Sequence, residues 1–256
     1  TLGGVTRRCY RMLVERAGRL LGPVDHEHFR EPKAGSVIGI AGSGLDVVAP
    51  GLGELWHGYI DVFCPDHLHV YQYNPTKHAR VLNEKPGDYA GVVVCDAESR
   101  NALLFGPGVV EVNCNSHSRS KFEDAERHQL VLARVGKSFL DRMYAVEDRA
   151  CERGLAGPEL LALRQRETRP VVAKFRARLD RQAAALLSSD PLGKGVRHYL
   201  DHWDALTLLV GNAAVPIDNN RSERAFQVQV KPRVSSEFAG STGGAHRWAT
   251  LLGIVN

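Results

Sequence analysis

Hydrophobic and polar positions alternate in two different rhythms along the chain. Between residues 36 and 74 the apolar residues come in short, β-branched runs. Val37, Ile38, Ile40, Leu45, Val47 and Val48 fill the first, broken by Gly42-Ser43-Gly44, and residues 55–63 and 67–73 supply the next two. Bounded by Gly, Pro and Asp, these runs predict three strands, with Cys64-Pro65-Asp66 as a hairpin connection. Gly91-Val92-Val93-Val94-Cys95-Asp96 is a continuous apolar run that ends on a carboxylate, and it predicts a buried fourth strand. Residues 109–113 predict a fifth, leading through residues 114–122 into a helix.

Helical spacing governs most of the rest. Met12, Leu13, Ala17, Leu20 and Leu21 predict an amphipathic helix over 5–21, stopped by Gly22-Pro23, and residues 76–83 predict another. From about 121 to 211 the pattern predicts only helices. Val131, Val135, Phe139, Met143 and Val146 form one stripe, and Val171, Val172, Phe175, Leu179 and Leu186 a second. Val196, Tyr199, Leu200, Trp203, Leu206 and Val210 form a third, and all three are expected to face a core. The second helix also carries Arg164, Arg166, Arg169, Lys174, Arg176, Arg178 and Arg181 against only Glu167 and Asp180. That excess suits either a solvated face or one that contacts phosphates.

The stretch Ile217-Asp218-Asn219-Asn220-Arg221-Ser222-Glu223-Arg224-Ala225-Phe226 reads as a loop opening into a helix. With Asn220 as N-cap, Glu223 is the third helical residue, near the positive end of the helix dipole. Asn-x-x-Glu is also close to a capping box, so a purely structural use competes with a chemical one. Asp96 counterbalances that reading, because a carboxylate at the end of a buried strand stands where α/β proteins place ligands and metals. Two such carboxylates suit Mg²⁺, an ion that takes one or two carboxylates together with phosphate oxygens and water. After the Glu223 helix, residues 227–234 form a further segment, and glycine-rich 238–244 precedes a last helix from about Ala245.

Composition narrows the classes. A chain of 256 residues with 43% hydrophobic and 24% charged residues is an ordinary globular protein, long enough for one large domain or two small ones. The net charge of +4 is compatible with nucleic acid without requiring it. Cys9, Cys64, Cys95, Cys114 and Cys151 form no Cys-x-x-Cys pair, which suits a reducing cytoplasm. No apolar run approaches the roughly 20 residues of a membrane span. Asp25-His26-Glu27-His28 reads as a polar loop, and Cys64, His67 and His69 as hairpin residues, rather than as zinc ligands.

Four stretches together resemble the transposases of the IS66 insertion-sequence family. They are residues 217–226, Phe238-Ala239-Gly240-Ser241-Thr242-Gly243-Gly244, the run from Gly91 to Asp96, and Val112-Asn113-Cys114-Asn115-Ser116-His117-Ser118-Arg119-Ser120-Lys121-Phe122. They occur in the family's order, and the resemblance covers nearly the whole chain. It implies an α/β fold: a ribonuclease-H-like mixed five-stranded sheet with flanking helices, interrupted by an all-α insertion domain. The expected organisation is a helical lead-in over 1–35, the first part of the core over 36–120, the insertion over 121–211, and the last part of the core over 212–256.

The resemblance further implies DNA transposition by two-metal phosphodiester cleavage and strand transfer, with ions roughly 4 Å apart held by three carboxylates. Asp96 matches the second carboxylate and Glu223 the third, with Mg²⁺ or Mn²⁺ as the ion. His117, in Cys114-x-x-His117, and Asn220 are the auxiliary residues, although Asn115-Ser116 stand where the family usually has an aromatic and a small residue. The position of the first catalytic Asp falls on Ala41. Asp46 is the nearest substitute, but five positions along a strand reverses the face unless Gly42-Ser43-Gly44 makes a bulge. The implied partners are DNA (transposon ends and target), further copies of the chain and accessory proteins of the same element. Ala41 leaves three readings: an impaired transposase core, an inactive DNA-binding remnant or repressor, and another metal-dependent nuclease.

Overall fold

The computed structural model describes residues 37–48, 54–65, 68–77, 89–98, 101, 105, 107–235 and 240–255, together with 12, 15–17 and 20; the side chains of 228–235 and 254–255 are outside the description. Strands β1 (Val37–Val48), β2 (Leu55–Pro65), β3 (Val70–Asn74), β4 (Gly91–Cys95) and β5 (Val109–Asn113) form one mixed sheet in the order β3-β2-β1-β4-β5. The helices are α1 (Asn115–Ala125), α2 (Leu130–Glu152), α3 (Gly157–Leu163) and α4 (Arg169–Ala185), with a π-helical turn at Arg164–Thr168 between the last two. They continue as α5 (Pro191–Asp201), α6 (Trp203–Thr207), α7 (Asn220–Ser235) and α8 (Thr242–Val255). The segment predicted over 227–234 is not separate, since α7 runs unbroken to Ser235. Of the first predicted helix, residues 12, 15–17 and 20 are helical. The 25–28 loop, His67 and most of the helix predicted over 76–83 lie outside the described residues.

By its contacts the chain divides into two units. One comprises Thr1–Val93, Glu98–Val110 and Asn220–Asn256; the other comprises Val94–Ala97 and Glu111–Asn219. In the first unit β1 and β2 pair antiparallel in an unbroken register from Ile38↔Pro65 to Val48↔Leu55. β2 and β3 pair antiparallel from Tyr59↔Asn74 to Phe63↔Val70. With no residue skipped, side chains alternate strictly between faces along all of β1, through Gly42-Ser43-Gly44 as well. Leu45, Val47, Ile60, Val62, Tyr71 and Tyr73 therefore share one face, where they form a core with Ala225 and Phe226 of α7 and Ala245 and Ala249 of α8. The Tyr71 hydroxyl donates to the Ala225 carbonyl at 2.7 Å and ties α7 to β3. On the opposite face the fully buried Asp61 carboxylate accepts a hydrogen bond from Asn74 Nδ2 at 2.5 Å, which satisfies a charge that burial would otherwise penalise.

The second unit is built on aromatic packing. Phe175 of α4 stacks on Phe139 of α2 with centroids 5.0 Å apart, and meets Tyr199 of α5 edge-on at 4.8 Å. Phe122 of α1 lies 6.0 Å from the Phe175 ring and is fully buried. The buried stripe of α2 is Ala133, Gly136, Leu140, Met143, Val146 and Ala150. Val131, expected in that stripe, is 71% exposed, because at the helix's N-terminal end it is out of phase with these positions. Gly136 is needed where it stands, since a Cβ there would come within 2.6 Å of the Phe122 ring. Gly136→Ala gains helix propensity of about 1 kcal/mol but overpacks a rigid ring at a cost of about 1–3 kcal/mol. We expect a net loss, read as a lower urea midpoint at unchanged slope; a raised midpoint would mean that the Phe122 ring yields.

Candidate active site and basic helices

In the second unit, Asp96 follows directly on β4 and is half-buried. The strand end is tied into a bonded chain. Cys114, the N-cap of α1, donates its backbone N–H to the Cys95 carbonyl at 3.0 Å. Its sulfur accepts the Asn219 N–H at 3.3 Å. Asn115 is buried to 1% and saturated: its backbone N–H and its Nδ2 both reach the Ile217 carbonyl, at 3.2 and 3.0 Å. Nδ2 also donates to the Leu206 carbonyl at 3.0 Å, while Oδ1 accepts the Tyr199 hydroxyl at 2.8 Å. Between the two pinned residues, Asp218 acts on Tyr144 of α2, whose hydroxyl is pushed far above its ordinary range by burial first and by the Asp218 and Cys114 charges next. The segment 217–219 is thereby held beside the end of β4, and its next residue opens α7.

In the first unit, α7 begins one residue earlier than the sequence predicts. Asn220 is itself helical rather than the cap, so Glu223 is the fourth helical residue, still in the first turn. Ser222, buried to 1%, acts on Cys64 of β2, whose thiol is pushed up to about 11 by burial, with Ser222 and Arg221 pulling the other way. Cys64 pairs with Gly39, two residues along β1 from Ala41. The first turn of α7 therefore lies over the level of β1 that carries Ala41, and Ala41 packs its methyl against the core that α7 covers.

Asp46 is not a substitute. The register has no bulge, so Asp46 stands on the face opposite Ala41, bonded to His57 Nδ1 at 2.6 Å across the β1–β2 pair. Among the described residues no group of three or more His, Cys, Asp or Glu side chains is arranged to hold a metal ion. His117 is the third residue of α1 and half-buried, and Asn220 is exposed.

The basic series splits. Arg164, expected to contact DNA, is 2% exposed: Nε and Nη2 donate to the Glu147 carboxylate at 2.8 and 2.6 Å. Its Nη1 donates to the carbonyls of Leu209, Asn212 and Val215 at 3.0–3.2 Å, so it is a structural residue. Arg169, Lys174, Arg176 and Arg181 are exposed and Arg178 is half-buried. At about 100° per residue, Lys174, Arg178 and Arg181 line one flank of the buried stripe of α4, and Arg169 and Arg176 the other. Arg176 is already engaged, with Asp180 at 3.0 Å and over the Trp203 ring at 5.0 Å. Tyr199 was expected in the core, but its bond to Asn115 and the action of Asp218 on Tyr144 had no signal in the sequence, because spacing does not show which distant polar groups meet. The spacing His198-x-x-x-His202 on an amphipathic helix was the one visible hint of a further cluster.

Comparison with known proteins shows the family. The chain matches the family described as "Transposase IS66 family" over residues 4–247. It is similar to the uncharacterized protein y4qI of Sinorhizobium fredii (strain NBRC 101917 / NGR234), 22% identical over 229 residues, which cover 82% of this chain and 42% of that protein. It is also similar to the uncharacterized proteins y4hP and y4jD of the same strain, 27% and 26% identical, each over 56% of this chain and 28% of the relative. The chain thus spans less than half the length of the curated relatives it matches. Among the described residues no helix is long and apolar enough to cross a membrane.

Proposed function

Because the chain belongs to the IS66 transposase family, we propose that it supplies the DNA-breaking and -joining core of a transposase, on a ribonuclease-H-like sheet with a helical insertion, and that Ala41 impairs it. The observation that carries the reading is the bonded chain from Cys95 through Cys114 to Asn219. Within the second unit it ties the end of the Asp96 strand to segment 217–219, which the chain continues into α7 and Glu223. The hard oxygen donors of Asp96 and Glu223 fit Mg²⁺ or Mn²⁺. Asp96 and Glu223 would hold such an ion, which would supply Lewis-acid activation for a phosphodiester displacement.

The other roles belong to the protein. Asn115 and Cys114 fix the approach to α7, and the first turn of that helix presents backbone N–H groups favourable to anions. Lys174, Arg178 and Arg181 form the flank of α4 that suits phosphates. At the first-Asp position the chain offers a methyl group, so the donor set fits two carboxylates and not three. That methyl also favours a second reading, a DNA-binding remnant or repressor that does not cut.

Two measurements separate the readings. In a gel-shift titration, affinity should fall steeply with salt, and Lys174→Gln/Arg178→Gln/Arg181→Gln should flatten the log–log slope by about 2–3. An equal slope for the triple variant would return these residues to a solvated face. In a strand-transfer assay on candidate terminal repeats with Mn²⁺, slow transfer abolished by Asp96→Asn supports the impaired enzyme. Binding without transfer supports the remnant, and nicking of unrelated DNA supports another nuclease.

A further inference from the structure

We propose that α1 and the C-terminal end of α5 form a cradle for a DNA phosphodiester, built from His117 and Lys121 of α1, His198 of α5 and His202 at the cap of α5. The inference rests on the DNA-binding reading above and names where one backbone phosphate sits. Each pair is spaced i, i+4: His117 and Lys121 share one face of α1, and His202, the C-cap of α5, follows His198 by one turn with its N–H bonded to the His198 carbonyl. The two helices pack closely: a Cβ at Gly195 of α5 would lie 3.5 Å from the Lys121 Cβ. The His198 and His202 rings are 5.0 Å apart. His198 feels the charges of Lys121, His202 and His117, every one of them a cation or able to become one. Four donors of one sign gathered on a helix pair repel unless an anion joins them. A phosphodiester supplies one negative charge and two free oxygens.

The location fits that occupant. His117 is one helical turn below Cys114, whose N–H is bonded to the residue before Asp96. The cradle thus begins next to the proposed reacting carboxylate and suits a phosphate flanking the one that is attacked. Other charges share a cavity with His202. Glu111 of β5, Arg176 of α4, Asp201 of α5 and Asp204 of α6 line it with Trp203, and its volume is about 280 Å³. Asn113 Nδ2 lies 3.4 Å from His202 Nδ1 and also donates to Glu111, so a neutral amide stands between that carboxylate and the imidazole.

Burial first, and then its cationic neighbours, push the His198 imidazole down to about 4. At neutral pH it is an uncharged donor, and an anion in the cradle draws a proton onto it. DNA affinity therefore rises as pH falls from 8 to 5.5, by up to tenfold per pH unit for each imidazole that takes up a proton on binding. Without DNA the sign is reversed for stability. The folded state binds this proton more weakly than the unfolded chain does, so stability is lost as pH falls from about 6.5 towards 4.

The test follows the histidine Cε1–H resonances of the whole chain by NMR from pH 8 to 4, alone, with a short DNA duplex, and with inorganic pyrophosphate. Gel-shift affinities are measured beside it at pH 5.5 and 8. The duplex should raise the His198 midpoint by about one unit or more. His198→Gln should remove most of the pH dependence of affinity, and Lys121→Gln, an exposed change that leaves the core intact, should lower the salt slope by about 0.9. Duplex binding that leaves the His117, His198 and His202 midpoints and the Lys121→Gln slope unmoved would overturn the cradle and leave the DNA reading standing. Absence of duplex binding at either pH would overturn both. A shift with pyrophosphate alone would then assign the cradle to free phosphates.

Discussion

Ala41→Asp should increase both the metal-dependent stabilisation of the chain and its cleavage rate. The methyl of Ala41 lies on the sheet face covered by α7 and packs against the core of Leu45, Val62 and Phe226. In register it is two residues from Gly39, the partner of the Cys64 that Ser222 of α7 acts on. A carboxylate placed there adds an anionic ligand at the level of Glu223's helical turn. Without metal it is costly, because a charge enters a partly apolar site and repels nearby carboxylates, so the apparent Tm should fall. With Mg²⁺ or Mn²⁺ at a hundred times its Kd, the variant regains about 2.7 kcal/mol, or about 5–10 °C for a domain of this size. Cleavage of terminal-repeat DNA should rise by orders of magnitude, since each 1.36 kcal/mol of barrier is tenfold in rate. Melting curves with and without metal provide the check. An equal gain in both proteins would show that residue 41 is not where the first carboxylate belongs, and Asp46→Asn, on the other face, should change neither curve's metal response.

Arg164→Ala should unfold the helical unit far more readily while leaving DNA affinity per folded molecule nearly unchanged. The guanidinium is bidentate to Glu147, which is 17% exposed, and also caps three carbonyls of the 209–215 segment. Its removal strands a carboxylate and three acceptors in the interior, which for a buried pair costs about 3–5 kcal/mol. Arg164→Met with Glu147→Leu should recover part of that loss, because no unpaired charge remains, although the three carbonyls still lose their donor. Helical circular dichroism in urea reads the midpoint, and a gel shift on the folded fraction reads DNA. If Arg164→Ala melted like the parent and bound DNA an order of magnitude more weakly, the residue would return to a phosphate-contacting face. Lys174, on an exposed flank of α4, should behave in the opposite way, with little change in midpoint and a changed salt slope.

Local signals sufficed where a residue's role depends on its neighbours in sequence. The β-branched runs at 37–48 and 91–95 became β1 and β4, since alternation and branching at Cβ favour a pleated backbone wherever the strand pairs. The helix opening at residues 220–223 was legible to within one position, because turn-forming and helix-forming residues switch there. That Asp96 directly follows a strand and that Glu223 lies in a first turn both followed from the same local rules. The tertiary structure alone decided the rest. An arginine reads identically in sequence whether it meets water or a buried glutamate, and only the crossing of α2 beside the π-helical turn, with the 209–215 segment returning over it, made Arg164 internal. Asn115 looks like a misplaced polar residue until its three partners arrive from 84 to 102 positions away. Asp46 was a candidate until the unbroken register put it on the wrong face. Hydrogen bonds and ion pairs form between atoms that come within about 3 Å, and which distant residues come that close is set by packing rather than by sequence spacing.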